Sequence, residues 1–303
     1  MTNLEIKKIL VPVDFSDNSI VAFKTAVQMA KKQGAHLKLF HVFDADNNLY
    51  PESHTHNSFK HPGDHIRALE ELAFAARNEH GISCDIDFVN GHVTTSILQT
   101  VIATGTDIIV MGKNGHSGDR KMYAGSHTYD VVKKAHCPVL VVPGSKVHGR
   151  FTNILFPVRP VMSVLEKYNT VRPILVNNEA SLHLMGMRDP VIANEVHIIS
   201  KLMNLLKQNA DEDNVDAKMT YYFNDDKFAQ CVLNTVLESD YDFDMVVITA
   251  ELDDSIREFY IGDYTQQIIH QSVVPVLVIR PTAGPLPKGE MLKVLETGTS
   301  IFS

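Results

Sequence analysis

The chain of 303 residues contains no tryptophan and only three cysteines, Cys84, Cys137 and Cys231. Three cysteines without a CxxC pair supply neither a disulfide framework nor a zinc knuckle. No apolar run approaches the ~18 residues that a membrane span requires. The first residues show no signal-peptide pattern, because Ile6-Lys7-Lys8-Ile9-Leu10 leads straight into a strand. A reducing cytoplasm is therefore the expected compartment. Positive charge is also in short supply: 28 Lys and Arg stand against 36 Asp and Glu, a net charge of −8. That balance argues against a general nucleic-acid partner. The deficit lies in one half. Residues 1–150 carry 16 basic and 15 acidic side chains, whereas the remainder carries 12 and 21.

Hydrophobic residues make up 44% of the chain, enough for full globular cores. The length suggests two domains. In the first half, strand and helix signals alternate. Strands are expected at Lys8–Val13, Leu37–Phe43, Ser83–Val89, Asp107–Gly112 and Pro138–Val142. Helices are expected at Ser19–Gln33, Asp64–Glu79, Thr95–Thr104 and from Ser126 to about Ala135, with Gly34 as a stop for the first. The polar stretch Ala45–Pro62 reads as a loop. The second half repeats the plan at a period of about 140 residues. Asn153–Val158 echoes Lys8–Val13, Asp244–Thr249 echoes Asp107–Met111, and Val273–Pro281 echoes Cys137–Pro143. The expected fold class is α/β: two tandem, doubly wound, five-stranded parallel-sheet domains. Their bounds are 1–146 and 151–281, with a linker at Gly144–Arg150. A tail follows at 282–303, with a short helix around Met291–Leu295.

The main chemical signal is the run from Gly112 to Ser126, with glycines at Gly112, Gly115 and Gly125. It follows an apolar strand and precedes a helix. Glycines there let backbone amides approach a phosphate, and a helix start favours negative charge. Lys113, Arg120 and Lys121 against Asp119 make the run net positive. At the end of the first strand stands Pro12-Val13-Asp14, followed by Ser16. Asp14 reads either as a turn or capping residue or as a ligand contact. His116 and His127 read as partly exposed histidines, with a phosphate contact as the alternative. His54, His56, His61 and His65 read as solvated rather than as a metal cluster. Ser16 and Ser19 have no His–Asp arrangement for nucleophilic catalysis.

The combination of Pro12-Val13-Asp14, the spacing Gly-x2-Gly-x9-Gly-Ser, and Cys137-Pro138-Val139-Leu140-Val141-Val142 resembles the universal stress protein family, and specifically its tandem members. The resemblance covers roughly residues 5–143 and 151–281. It implies a five-stranded parallel sandwich and, in the ATP-binding branch, a nucleotide at the strand ends. Carried over, Pro12, Val13 and Asp14 would flank adenine and ribose, and Val42 would line the adenine slot. Gly112, Gly115, Gly125 and Ser126 would hold the phosphates, and Met111, Lys113 and His127 beside them complete the candidate nucleotide-binding set. The expected cofactor is ATP, with or without Mg2+, and the expected role is a stress-response regulator rather than a dedicated enzyme. The alternatives are a slow ATPase or autophosphorylating enzyme, and an interaction protein acting through the acidic second half. The family also implies an intrachain pseudo-dimer through the last strands, with a homodimer optional.

The second half is a negative copy. Aligning Thr249-Ala250 with Met111-Gly112 puts Ala250, Asp253, Asp263 and Tyr264 in place of Gly112, Gly115, Gly125 and Ser126. A one-residue deletion would restore only Gly262. Residues 250–264 hold one Arg against five acids, and Arg159 follows Pro157-Val158 where the first half has Asp14. A triphosphate would be repelled there. The second half is expected to bind no nucleotide in the family's manner.

Overall fold

The computed structural model describes residues 5–43, 61–114, 126–161, 163–188, 193–223, 228–253, 258–260 and 263–281. The chain divides into two compact units, one spanning Glu5–Arg150 and one beginning at Phe151. The first contains β1 (Lys8–Pro12), α1 (Asp17–Gln33), β2 (His36–Phe43), α2 (Pro62–Asn78), β3 (Cys84–Asn90), α3 (Val93–Thr104), β4 (Ile108–Gly112), α4 (Ser126–Lys134) and β5 (Val139–Val142). Its strands are all parallel in the order β3-β2-β1-β4-β5. Residues Ile9–Val11, Ile108–Met111 and Val139–Val142 are buried. Strands covered on both faces must be apolar throughout, which is why these segments read as unbroken runs and not as alternation. The order reverses between β1 and β4, and a ligand crevice opens at such a switch point, beyond the carboxyl ends of the strands.

The second unit holds β6 (Asn153–Val158), α5 (Ser163–Asn178), β7 (Ser181–Arg188), α6 (Ala193–Glu212), β8 (Ala217–Phe223), α7 (Phe228–Glu238) and β9 (Met245–Thr249). A short antiparallel ribbon, β10 (Glu251–Asp253) with β11 (Glu258–Tyr260), comes next, then α8 (Asp263–Gln271) and β12 (Val276–Ile279). The strand order β12-β9-β6-β7-β8 again has every neighbour parallel. This unit therefore has the same winding as the first.

Helix ends depart from the sequence reading where capping decides them. α1 starts at Asp17, two residues early, because Ser16 Oγ accepts from the Ser19 amide at 3.2 Å. α2 starts at Pro62, which the sequence reading left in a loop. Proline suits a first helical position, and Asp64 Oδ2 accepts from the His61 amide at 3.1 Å. Gly34 closes α1 at φ 65°, a left-handed conformation that glycine adopts without strain.

One polar device recurs in both units. Asp107, just before β4, accepts from the Lys7 and Lys8 amides, each at 2.8 Å. Asp244, just before β9, accepts from the Thr152 amide at 2.6 Å and the Thr152 hydroxyl at 2.8 Å. Each carboxylate ties the start of the central strand to its neighbour. Asp244→Ala should cost about 2 kcal/mol, because partly buried donors lose their acceptor, and the exposed Asp107→Ala about 1 kcal/mol. Urea unfolding checks this, and losses no larger than for the exposed Asp85→Ala would contradict the clamp.

Candidate functional site

The crevice of the first unit is built from the ends of β1, β2 and β4 and the start of α4. Pro12 pairs with Phe40 as the last rung of β1. Val13 is buried; its amide donates to the Phe40 carbonyl at 2.8 Å, and its own carbonyl accepts from His41 Nδ1 at 2.6 Å. Asp14 Oδ1 accepts from the Ser16 amide at 3.0 Å and the Ser16 hydroxyl at 2.5 Å. The turn reading of Asp14 is thus realised. Val42 is half-buried near the end of β2, paired with Val89.

Met111 and Gly112 close β4, and the Lys113 amide continues the ladder by donating to the Val142 carbonyl at 2.9 Å. Burial pushes the Lys113 amine below its ordinary range. Thr128 Oγ1 donates to the Gly112 carbonyl at 3.0 Å, which pins the first turn of α4 to the end of β4. His127, one residue earlier, shares a 3.3 Å hydrogen bond with the buried Thr94 hydroxyl, and its ring lies 6.1 Å from that of His92. Ser126 opens α4. Gly115, Gly125 and His116 lie outside the described residues. So do His54 and His56. β1 and β4 are direct neighbours, so Pro12–Asp14 and Met111–Gly112 end side by side, with β2 on the other flank of β1.

Gly112 has a packing demand of its own. A Cβ there would stand 2.9 Å from the backbone carbon and oxygen of Asn18, in the first turn of α1. Gly144 meets the same residue, at 1.6 Å from its side-chain oxygen. The first turn of α1 therefore rests directly on the end of β4. No local sequence pattern marks Asn18 or Gly144 for this role.

Sequence reasoning also missed an aromatic stack behind the Asp14 turn. Phe15 sits at φ 63°, unusual for a bulky residue. Its ring centroid is 4.9 Å from that of His41, which stacks on His65 at 4.8 Å and on Phe88 at 5.7 Å. His65 is thus not solvated: it lies on α2, as the expected helix implied, but half-buried against Phe43 and His41. Burial pushes His41 down to about 4 and lowers His65 as well.

The second unit fills the corresponding crevice with its own side chains. Its ladder corrects the sequence alignment by one residue. Gly112 pairs with Val142, and Thr249 pairs with Ile279, so Thr249 and not Ala250 stands at the Gly112 position. The starts of α4 and α8 then set Tyr264 opposite His127. Tyr264 donates its hydroxyl to the Thr249 carbonyl at 2.6 Å. Thr265, the counterpart of Thr128, is fully buried, and its hydroxyl has no partner among the described residues. The Arg159 guanidinium lies 5.4 Å from the Phe228 ring and 4.9 Å from the Tyr264 ring, where cation–π attraction holds it. Beneath it, buried Lys167 donates to the Pro157 carbonyl and sits 3.9 Å from the Phe156 ring centroid. Burial pushes this amine well below the lysine range, with the Arg159 charge adding to the effect. The β10–β11 ribbon follows β9, where the first unit has its glycine run.

Doubly wound α/β units with a strand-end crevice at the β1–β4 switch point form the class to which this chain's architecture assigns it. Residues 5–143 match the model of the universal stress protein family. The universal stress protein YxiE of Bacillus subtilis is 32% identical over 147 residues, covering 45% of this chain and 97% of that protein. A universal stress protein of Methanocaldococcus jannaschii is 32% identical over 145 residues, covering 46% of this chain and 84% of that one. The chain belongs to the universal stress protein family. A crystal structure of a universal stress protein from Archaeoglobus fulgidus overlays on 92% of this chain and 98% of its own, with a TM-score of 0.69 and 17% identity, a likeness of fold. Among the described residues, no helix is long and apolar enough to cross a membrane.

Proposed function

We propose that this protein is a nucleotide-binding stress-response regulator with one ATP site, in the first unit. The observation that carries the reading is the junction of the Pro12-Val13-Asp14 turn with the Gly112 end of β4 and the start of α4. Adenine and ribose would lie toward Pro12–Asp14 and Val42. The phosphates would lie toward Lys113, the glycine run and Ser126, where a helix start favours negative charge. Among the described residues there is no group of three His, Cys, Asp or Glu side chains suited to a metal ion. Mg2+, if it takes part, would arrive with the triphosphate. The second unit takes no nucleotide in this reading, because Arg159 and Tyr264 stand in its crevice.

A ligand that binds only the folded state raises its melting temperature. ATP at a hundredfold excess over its dissociation constant should stabilise nucleotide-free protein by about 2.7 kcal/mol. Gly115→Asp with Gly125→Asp should abolish that rise, and titration calorimetry should give one site per chain. Absence of any ATP-dependent shift in the wild type counts against the reading, and two sites per chain count against its asymmetry.

A further inference from the structure

We propose that His41 is the positioning residue of the strand-end site: its ring N–H holds the Val13 carbonyl and its face holds the Phe15 ring, so that it fixes the turn carrying Asp14. In a parallel ladder that has just placed the Val13 amide on the Phe40 carbonyl, the next donor to the Val13 carbonyl would come from the backbone of β2. The donor here is instead a side chain, His41 Nδ1 at 2.6 Å. The β1 strand has ended at Pro12, and the ring carries the connection one residue further. Phe15 then leans on the same ring at 4.9 Å while its backbone stays at φ 63°. That conformation is unfavourable for a bulky side chain and persists only where neighbours hold it. His65 from α2 and Phe88 from β3 close the remaining sides of the ring.

The arrangement requires a neutral ring. Nδ1 donates to a carbonyl, so the neutral tautomer leaves Nε2 as the unprotonated nitrogen. Nε2 is buried and has no hydrogen-bond partner among the described residues. Protonating it would create a charged donor with nowhere to point. The groups that bias it are His65 of α2, stacked on it, and Asp14 in the turn itself; Asp64 acts on His65 in turn. Phe88 is the β3 side chain that meets the ring, and it carries no charge. Burial keeps the ring neutral down to about pH 4, so the turn retains this donor through the neutral and mildly acid range.

The affinity part rests on the nucleotide reading above, and the experiment separates the two. His41→Phe keeps a ring and loses the donor; His41→Asn keeps a donor near the Nδ1 position and loses the ring. Calorimetry with ATP at pH 7.5 should show about tenfold weaker binding by His41→Phe and partial recovery in His41→Asn. Between pH 7.5 and 5.5 the ratio of the two affinities should stay constant, because His41 is neutral throughout that range and the titration of ATP itself cancels. In ligand-free protein, amide exchange at Ser16 and Ser19, which report the turn, should be about tenfold faster in His41→Phe. Wild-type affinity in His41→Phe overturns the proposal, as does unchanged exchange at these two amides. If the wild type binds no ATP, the nucleotide reading fails alone and the exchange rates decide the role of His41. If His41→Phe does not fold, Phe15→Leu removes the stacked ring from the other side and carries the same exchange readout.

Discussion

Replacing Gly112 by alanine should destabilise the first unit by about 2 kcal/mol, and by valine about 3 kcal/mol, with no ligand present. The new Cβ would meet the Asn18 backbone at 2.9 Å, and a backbone cannot rotate aside. α1 must move off β4, and buried neighbours such as Ala22 and Phe23 move with it. Gly144→Ala provides the contrast. Its Cβ would meet the Asn18 side-chain oxygen, which can be removed. Asn18→Ala should therefore rescue Gly144→Ala and leave Gly112→Ala unrescued. Urea unfolding followed by far-UV circular dichroism reads the single and double variants alike, since the chain lacks tryptophan as a probe. Full stability of Gly112→Ala would show that the glycine serves only ligand approach. The result bears on function, because a loss of ATP binding in a Gly112 variant must be read beside its loss of fold.

Acid should weaken the first unit before its carboxylates titrate. His41 is neutral in the fold, with its pKa pushed by burial from 6.5 to about 4. The unfolded chain takes up the proton near pH 6.5 and the folded one does not, so stability is full above 6.5 and falls as pH drops toward 4. Lowering pH from 7 to 4.5 should cost about 2–3 kcal/mol through this residue alone. His148, also held near 4 by burial with the Lys146 charge adding, acts in the same direction. Its backbone amide donates to the fully buried Thr25 hydroxyl at 3.2 Å, so it too is built into the first unit. Urea midpoints at pH 7.0, 5.5 and 4.5 measure the slope, and His41→Phe should flatten it. A wild-type midpoint that does not move over this range excludes the buried neutral ring.

In the proposed reading the second unit takes no nucleotide, and its side chains differ accordingly. Asp14 becomes Arg159, His127 becomes Tyr264 and Gly112 becomes Thr249. Arginine on two aromatic rings and a tyrosine hydroxyl on the last carbonyl of β9 occupy the corner with the chain's own groups. The aligned Thr128 holds the Gly112 carbonyl in the first unit, whereas the buried Thr265 hydroxyl has no partner among the described residues. The charge reversal read from residues 250–264 pointed to the loss of phosphate affinity. The side-chain filling became visible only in the fold.

The sequence by itself determined the α/β class and the repeat, and it pointed to the strand ends of the first unit. Buried parallel strands must be apolar throughout, helices must carry a 3.6-residue face, and glycines must stand where backbones approach closely; each demand is met within a few neighbouring residues. Tertiary structure alone decided why Gly112 lacks a side chain, which hydrogen bond holds Val13, why Phe15 tolerates φ 63°, and that Thr249 stands at the Gly112 position. Those answers depend on Asn18, His41, His65 and Ile279. Their partners lie 28 residues away for the Val13–His41 bond and farther for the Gly112–Asn18 contact. A linear pattern carries no signal for contacts made by packing, because the spacing between partners is set by the fold and not by the period of a helix or strand.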